Sequence, residues 1–450
     1  MTTGDVAETR TRRWRWETIT GNTAILQEDG FRRLWLGRLL SHTGMNAVLY
    51  TMLVLAVGEG AGSSIKSALF ITAYLLPTAT LATVSGVLID RLPKNLVLAG
   101  MNLGRLGLML VLLVAGTDIW TIYGIALLLA ITSQFGTPAE AAALPQLVRQ
   151  DQLTSANSVS TLGSLLSQVV GFAVLPPIFL NLSFIGPRPL FFIAAVLFGA
   201  SAAIFISIRG LGARQIDIDS TIVAVREVRK QFAQAWDTLS RDLGAYMSVI
   251  IVVLASTISL VAVALMPRFA QEALGIPVRN SIFVFLPAAL GILAGLRLVQ
   301  WLERRIAKSW LVGVGFSLLV AAFIGLALTR PFGAALENMN PLGLFAPGPF
   351  GDTSARIVMA MVFSTLAAFS FSIVGVASRT LLNQRLPLEI QGRVFAAQNV
   401  LTNLASIPPI LLAGLLAVVF GVEFVMGTAV IILACVAGWT AARAAARPAS

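Results

Sequence analysis

The sequence predicts an all-α polytopic membrane protein, with about twelve transmembrane helices arranged as two six-helix bundles that repeat one another. Three observations predict it. Of 450 residues, 57% are hydrophobic and only 12% are Asp, Glu, Lys or Arg, against about 25% charged in soluble domains. With mean hydropathy at +0.84, the chain has too little charge to clothe a water-facing surface. Apolar windows of about 20 residues recur, each long enough as helix to cross roughly 30 Å of hydrocarbon, where helices and closed barrels alone satisfy the backbone. Finally, the layout repeats: Phe31 to Pro77 and Arg241 to Pro287 each run through one span, an outer loop and half of the next span.

Residues 1–30 read as a cytoplasmic N-terminal extension, whose "RRWRW" at 12–16 interleaves Arg with Trp as a headgroup-level anchor would. No short apolar core with a small-residue cleavage site precedes Phe31, so this region is not expected to be a signal peptide. The first bundle, 31–208, holds spans near 34–57, 66–90, 95–115, 119–145, 157–182 and 189–208. Residues 209–242 mix Arg214, Asp217, Asp219, Arg226, Glu227, Arg229 and Lys230 with apolar positions, as a soluble linker between bundles would. The second bundle, 243–443, holds spans near 243–266, 280–302, 309–330, 355–380, 393–420 and 422–443, before a short tail, 444–450. Its outer loop 331–354 contains "NMNPLGLFAPGPFGD" and is expected to be irregular.

Charge sets the orientation. With the N-terminus inside, Arg32, Arg33, Arg91, Lys94, Arg149, Arg304, Arg305, Lys308, Arg379, Arg385 and Arg393 fall on the cytoplasmic side, and the outer side holds only Lys66, Arg188, Arg268, Arg279, Arg330 and Arg356. The positive-inside rule then puts both termini in the cytoplasm of a cell membrane, a bacterial inner membrane being expected. The same distribution accounts for a formal net charge of +11 without nucleic acid. One cysteine, Cys435, excludes an internal disulfide.

The second span ends in G-x-L-x-D-R-x-x-K, as Gly86, Leu88, Asp90, Arg91 and Lys94. Gly86 would let a neighbouring helix come close, Asp90 would accept hydrogen bonds at an adjacent helix N-terminus, and Arg91 and Lys94 would face the anionic inner leaflet. The stretch resembles the signature loop of the major facilitator superfamily, which implies a gating latch between the two halves. In the second half, Gln300 stands where the repeat would place an acidic residue. More narrowly, "FRRLWLGRLLSHTG", "NLGRLGLML", "ALPQLVRQDQLTSANS" and "QGRVFAAQNV" look like the branch of enterobactin-type siderophore exporters and macrolide efflux proteins. Met45 and Asn102 stand where relatives in that branch often carry acidic residues. That departure removes the usual carboxylates of proton coupling from those two places.

Arg38, His42, Asn46 and Tyr50 recur every four residues and line one face of the first span. Arg38 is expected to snorkel toward the cytoplasmic end, with Asn46 near midplane. His42, the single histidine, is either a titrating group or a hydrogen-bonded packing residue. Thr161, Ser164 and Gln168 form a second polar stripe in the fifth span, and Asn399, Thr402 and Ser406 repeat it in the eleventh. The stripes would line a cavity or serve as helix–helix glue. Glu140 and Arg105 are further membrane-depth charges; Glu140 either carries a proton or pairs with Arg91, Arg105 or Arg38 as part of the cytoplasmic gate.

No G-x-x-x-x-G-K-[ST] motif is present, which disfavours ATP hydrolysis by this chain, and one His with one Cys leaves little for an enzyme or a metal centre. The expected function is secondary active transport by alternating access: export of a small amphipathic drug, macrolide or siderophore-like metabolite by proton antiport. A lipid or lysolipid flippase, or a non-transporting sensor or assembly protein on the same scaffold, are the rivals. Expected partners are a small-molecule substrate, membrane lipids and protons, for a monomer without cofactor or metal.

Overall fold

A computed structural model describes residues 25–58, 63–181, 186–209, 211, 243–302, 305–306, 308–339, 355–385 and 388–445. The "RRWRW" segment, nearly all of the linker and the tail from 446 onward lie outside the described residues. Every regular element described is helical: α1 (Asp29–Val57), α2 (Ser63–Arg91), α3 (Lys94–Ala115), α4 (Ile119–Leu147), α5 (Leu153–Gln168), α6 (Leu175–Asn181), α7 (Arg188–Ile206), α8 (Leu243–Glu272), α9 (Ser281–Phe285), α10 (Pro287–Leu302), α11 (Lys308–Ala327), α12 (Thr329–Met339), α13 (Ala355–Arg385), α14 (Leu388–Phe420) and α15 (Val422–Ala445).

Ten helical stretches among the described residues are long and apolar enough to cross a membrane. The sequence predicts about twelve; the other two expected spans are helical as α2 and α15, the latter counted only as the shorter apolar stretch Val422–Val436. The chain is therefore a multi-pass membrane protein. Its outer faces carry Leu110, Val114, Phe192, Val196, Leu415 and Val419 exposed, whereas Ser41, Asn102, Arg105 and Glu140 are buried. Apolar outside and polar inside is what a lipid solvent demands.

Several boundaries differ from those read in the sequence. α1 begins at Asp29, inside the expected extension, because Asp29 in its first turn pairs with Arg32 and, at 2.8 Å, with Arg33. The fifth span is α5 and α6 joined by a π-helical turn, Val169–Val174. Gly171 in that turn fits closely against α1: a Cβ there would stand 2.6 Å from Asn46 Cβ and 2.7 Å from the Thr43 carbonyl. The eighth span is interrupted between α9 and α10 at Leu286, which keeps helical backbone angles, because Pro287 after it has no amide hydrogen to continue the ladder. The outer loop expected to be irregular starts with a helix, α12. Leu328 accepts from the Phe332 amide and Thr329 is fully buried, so the chain turns helical again before the Gly- and Pro-rich residues. Residues 340–354 lie outside the described set.

The described residues cluster into two compact units. The first is drawn from Met1–Met52, Leu81–Thr121 and Leu128–Val225. In it α3 packs along α7, and a core of Phe31, Leu34, Leu98, Ala139, Ala143, Val159 and Phe205 draws on α1, α3, α4, α5 and α7. Lipid gives no hydrophobic drive for helices to associate, so small residues matter. Ser201 donates to the Gly37 carbonyl at 2.8 Å, where α7 crosses α1.

The second unit is drawn from Leu53–Thr80, Ile122–Leu127 and Arg226–Ser450. There α10 and α11 both lie against α13, and α8 against α14. Gly291 and Gly295 make the α10–α13 approach possible: a Cβ would stand 2.2 Å from the Thr365 carbonyl oxygen at the first and 2.0 Å from Ser372 Oγ at the second. The same unit joins the N-terminal part of α2 to α8 and α14. Ser67 donates to the Ala264 carbonyl at 2.5 Å, Arg268 donates to Ser64 Oγ at 3.2 Å, and a Cβ on Gly414 would stand 2.7 Å from Ala68 Cβ.

Candidate functional site

α1, α3 and α4 bring a buried charge cluster together inside the first unit. Helical spacing puts Arg38 and His42 on one face of α1, with Ser41 beside them, while α3 supplies Asn102 and Arg105 one turn apart. α4 contributes Thr132, Ser133 and Glu140. Among the described residues Glu140 is the one acidic side chain that is buried, at 5% exposure, and Arg105 matches it at 5%.

Glu140 closes on α1. Arg38 Nε lies 2.8 Å from Glu140 Oε2, and His42 Nε2 lies 3.1 Å from the same oxygen and 3.2 Å from Oε1. A carboxylate left alone at this depth would be strongly disfavoured, so the two partners are what allow it to be charged. Arg105, on α3, is the other buried cation of the cluster. Its own donors reach Thr132 Oγ1 at 2.9 Å, Ser41 Oγ at 2.8 Å and Ser133 Oγ at 3.1 Å, and its guanidinium lies 5.9 Å from the centroid of the Phe198 ring. Ser41 passes the chain on, donating to Asn102 Oδ1 at 2.7 Å, and Asn102 donates to the Leu98 carbonyl at 2.8 Å. The result is a continuous polar network over three helices in apolar surroundings.

Beside the cluster, α1 and α5 enclose a recess of about 180 Å³, counting the space open at its mouth, lined by Trp35, Arg38, His42, Ser160, Ser164 and Ser167 among others. Trp35 donates its indole N–H to the Val159 carbonyl at 3.0 Å. Gly163 permits that seat, since a Cβ there would stand 2.5 Å from Trp35 Nε1. Ser167 donates across to the Leu39 carbonyl at 3.1 Å.

The cluster unites Arg38, His42, Arg105 and Glu140 from the sequence expectations. Arg38 does not snorkel away alone; it is ion-paired and 22% exposed. Asn46 lies half-buried against the Gly171 turn, and Tyr50 is buried edge-on to Phe172 with ring centroids 6.5 Å apart. Thr161 and Gln168 are exposed, Thr161 bonding its own helix at the Asn157 carbonyl, and Ser164 alone of that stripe faces the recess. In the second unit Ser406 is buried and shares a 2.8 Å hydrogen bond with Thr257, which joins α14 to α8 as helix glue; Thr402 is half-buried and Asn399 exposed.

The signature loop also differs in part. Lys94 is 4% exposed at the start of α3, so it does not face a leaflet. No atom among the described residues lies within 4 Å of where a Cβ on Gly86 would stand. Arg91 is half-buried, and the Asp90 side chain lies outside the described set. Sequence reading missed Ser41, Thr132, Ser133, Trp35, Ser160 and Ser167. Ser41, adjacent to His42, and Thr132 and Ser133, a pair inside an apolar span, were the available signals. Among the described residues no group of three or more His, Cys, Asp or Glu is placed to hold a metal ion.

Comparison with known proteins bears on what this arrangement serves. The family model described as the Major Facilitator Superfamily matches residues 34–408. No curated protein matches the chain. Among solved structures, a nucleoside transporter, NupG, in a point-mutant form is similar at TM-score 0.70 and 12% identity, covering 92% of this chain and 99% of that one. An auto-inhibited POT family peptide transporter is similar at TM-score 0.67 and 12% identity, covering 94% of this chain and 98% of that one. At such identity the likeness is one of fold.

Proposed function

The chain belongs to the Major Facilitator Superfamily, and from that premise we propose that it is a secondary active transporter exporting a small amphipathic compound by alternating access, in exchange for protons. Within the family, the motifs of the first, third, fifth and eleventh spans favour the enterobactin-exporter and macrolide-efflux branch, hence a drug, macrolide or siderophore-like substrate. The observation that carries the coupling is the closure of Arg38 and His42, one turn apart on α1, upon the buried Glu140 of α4.

A proton reaching Glu140 neutralises the carboxylate. Its attraction to Arg38 and to a protonated His42 is then lost, and the charge that ties α1 to α4 goes with it. Deprotonation restores the tie. A buried pair that exists in one protonation state and not in the other is a two-state element able to bias a conformational equilibrium. Arg105, held by three hydroxyls, keeps a fixed positive charge nearby in both states. Asp90, Arg91 and Lys94 complete the proposal as the cytoplasmic latch between the six-helix halves 31–208 and 243–443, Asp90→Asn slowing turnover without loss of membrane insertion.

The test is proton movement into pyranine-loaded proteoliposomes on addition of a macrolide, a catecholate siderophore, a nucleoside or a dipeptide. Wild type should move protons with one of the first two, and Glu140→Gln should bind that compound without proton flux. Proton flux unchanged in Glu140→Gln would remove the coupling assignment.

A further inference from the structure

The recess beside the cluster has an electrical property that coupling does not require. Arg38 and Arg105 bring two permanent positive charges, because guanidinium stays protonated in proteins, and Glu140 brings one negative charge. One unit of positive charge is left over with His42 neutral, and two with His42 protonated. Excess charge at a buried site is costly until an ion of opposite sign joins it.

Arg38 is where that ion can bind. Its Nε is engaged by Glu140, but its two terminal NH2 groups have no hydrogen-bond partner among the described residues, and it lines the recess. His42 lines the same recess and uses Nε2 on Glu140, leaving Nδ1 without a partner among the described residues. The remaining wall is not charged: Ser164 donates to the Ser160 carbonyl at 3.1 Å, and Trp35, its N–H spent on Val159, presents ring surface. The recess is small: most of its roughly 180 Å³ is open at the mouth, and the enclosed part has room for about one water-sized group, so a single functional group reaches Arg38 while the rest of a ligand lies at the mouth.

We infer that this recess is an anion subsite, in which the terminal NH2 groups of Arg38 hold the carboxylate of an amphipathic organic monoanion while the Trp35 ring takes its adjoining aromatic or apolar body. A carboxylate suits the two-pronged guanidinium geometry, and at least one unit of positive charge is there to meet it. The inference rests on the transporter reading and narrows its substrate class to compounds carrying such a group. An anionic lipid headgroup offers related chemistry, so the test separates the two.

Salicylate and its neutral amide, salicylamide, are titrated into the full-length protein in phosphatidylcholine nanodiscs, with binding read by tryptophan fluorescence and by calorimetry. Salicylate should bind at least ten-fold tighter than salicylamide. Arg38→Gln should abolish that preference and Arg38→Lys restore part of it. Ser164→Leu, which fills the recess without touching the ion pair, should weaken salicylate at least ten-fold even if Arg38→Gln fails to fold. Equal affinity for acid and amide, or full binding in folded Arg38→Gln, overturns the subsite. So does a response to added phosphatidylglycerol with none to salicylate. Binding is measured without flux, so a transporter that moves protons yet shows no acid preference would refute the subsite alone.

Discussion

Glu140 Oε2 lies 2.8 Å from Arg38 Nε, and this contact joins a residue 94% buried in its side chain on α4 to one on α1 that edges an open recess. One partner is committed and the other has capacity left. The coupling and the anion subsite both depend on that asymmetry.

Removing one partner leaves the other uncompensated. Arg38→Met or Glu140→Met alone should destabilise the purified protein by about 3 kcal/mol or more, whereas the double substitution should recover much of the loss. Thermal unfolding in nanodiscs for the four members of the cycle measures the coupling. Additive losses would show that the pair does not act as a unit.

Within the second unit, Ser67 reaches the Ala264 carbonyl at 2.5 Å. In a Cys435→Ser background, Ser67→Cys combined with Ala264→Cys should cross-link on oxidation. Under the alternating-access reading, transport should then fall at least ten-fold and return on reduction. Flux at the wild-type rate in a fully cross-linked sample would mean that this contact does not open during the cycle.

Gly295 sits where a side chain has no room, 2.0 Å from Ser372 Oγ and 2.6 Å from the Phe369 carbonyl oxygen. Because backbone is involved, rotation of Ser372 cannot relieve the clash. Gly295→Val should force α10 from α13 and cost about 1 to 3 kcal/mol or more. Gly86→Ala, with no described atom within 4 Å of the new methyl, should leave the melting temperature unchanged. The pair of melting curves checks both.

Asp118 caps α4, accepting from the Trp120 and Thr121 amides at 3.1 and 3.0 Å. The Thr121 hydroxyl and amide hold its carboxyl below the ordinary 3.8, more than burial raises it. A depressed folded pKa means stabilisation present above the unfolded value and lost as pH falls through the folded one. Hydrogen exchange at Trp120 and Thr121, corrected for intrinsic rate, should be slower in wild type than in Asp118→Ala at pH 6. That difference should disappear on acidification below 3.8. A difference that persisted unchanged there would assign the protection to helix packing instead.

Hydropathy located the membrane-crossing segments, because crossing hydrocarbon imposes length and apolarity on each segment independently of its neighbours, but it did not show where α1 begins or where the fifth and eighth spans break. Four-residue spacing likewise showed that Arg38 and His42 share a face. The sequence could not say which way that face looked. Gln168 and Thr161 match the periodicity as well as Ser164 does, yet Ser164 alone borders the recess, because helix rotation is set by packing partners far away in the chain. The close fit of Gly163 to Trp35 and of Gly171 to Asn46 sets that rotation for α5 and the turn after it. Glu140 and Arg38, 102 positions apart, met only through the tertiary structure: their pairing requires α1 and α4 to be neighbours, and charge finds its partner by distance in space rather than in sequence.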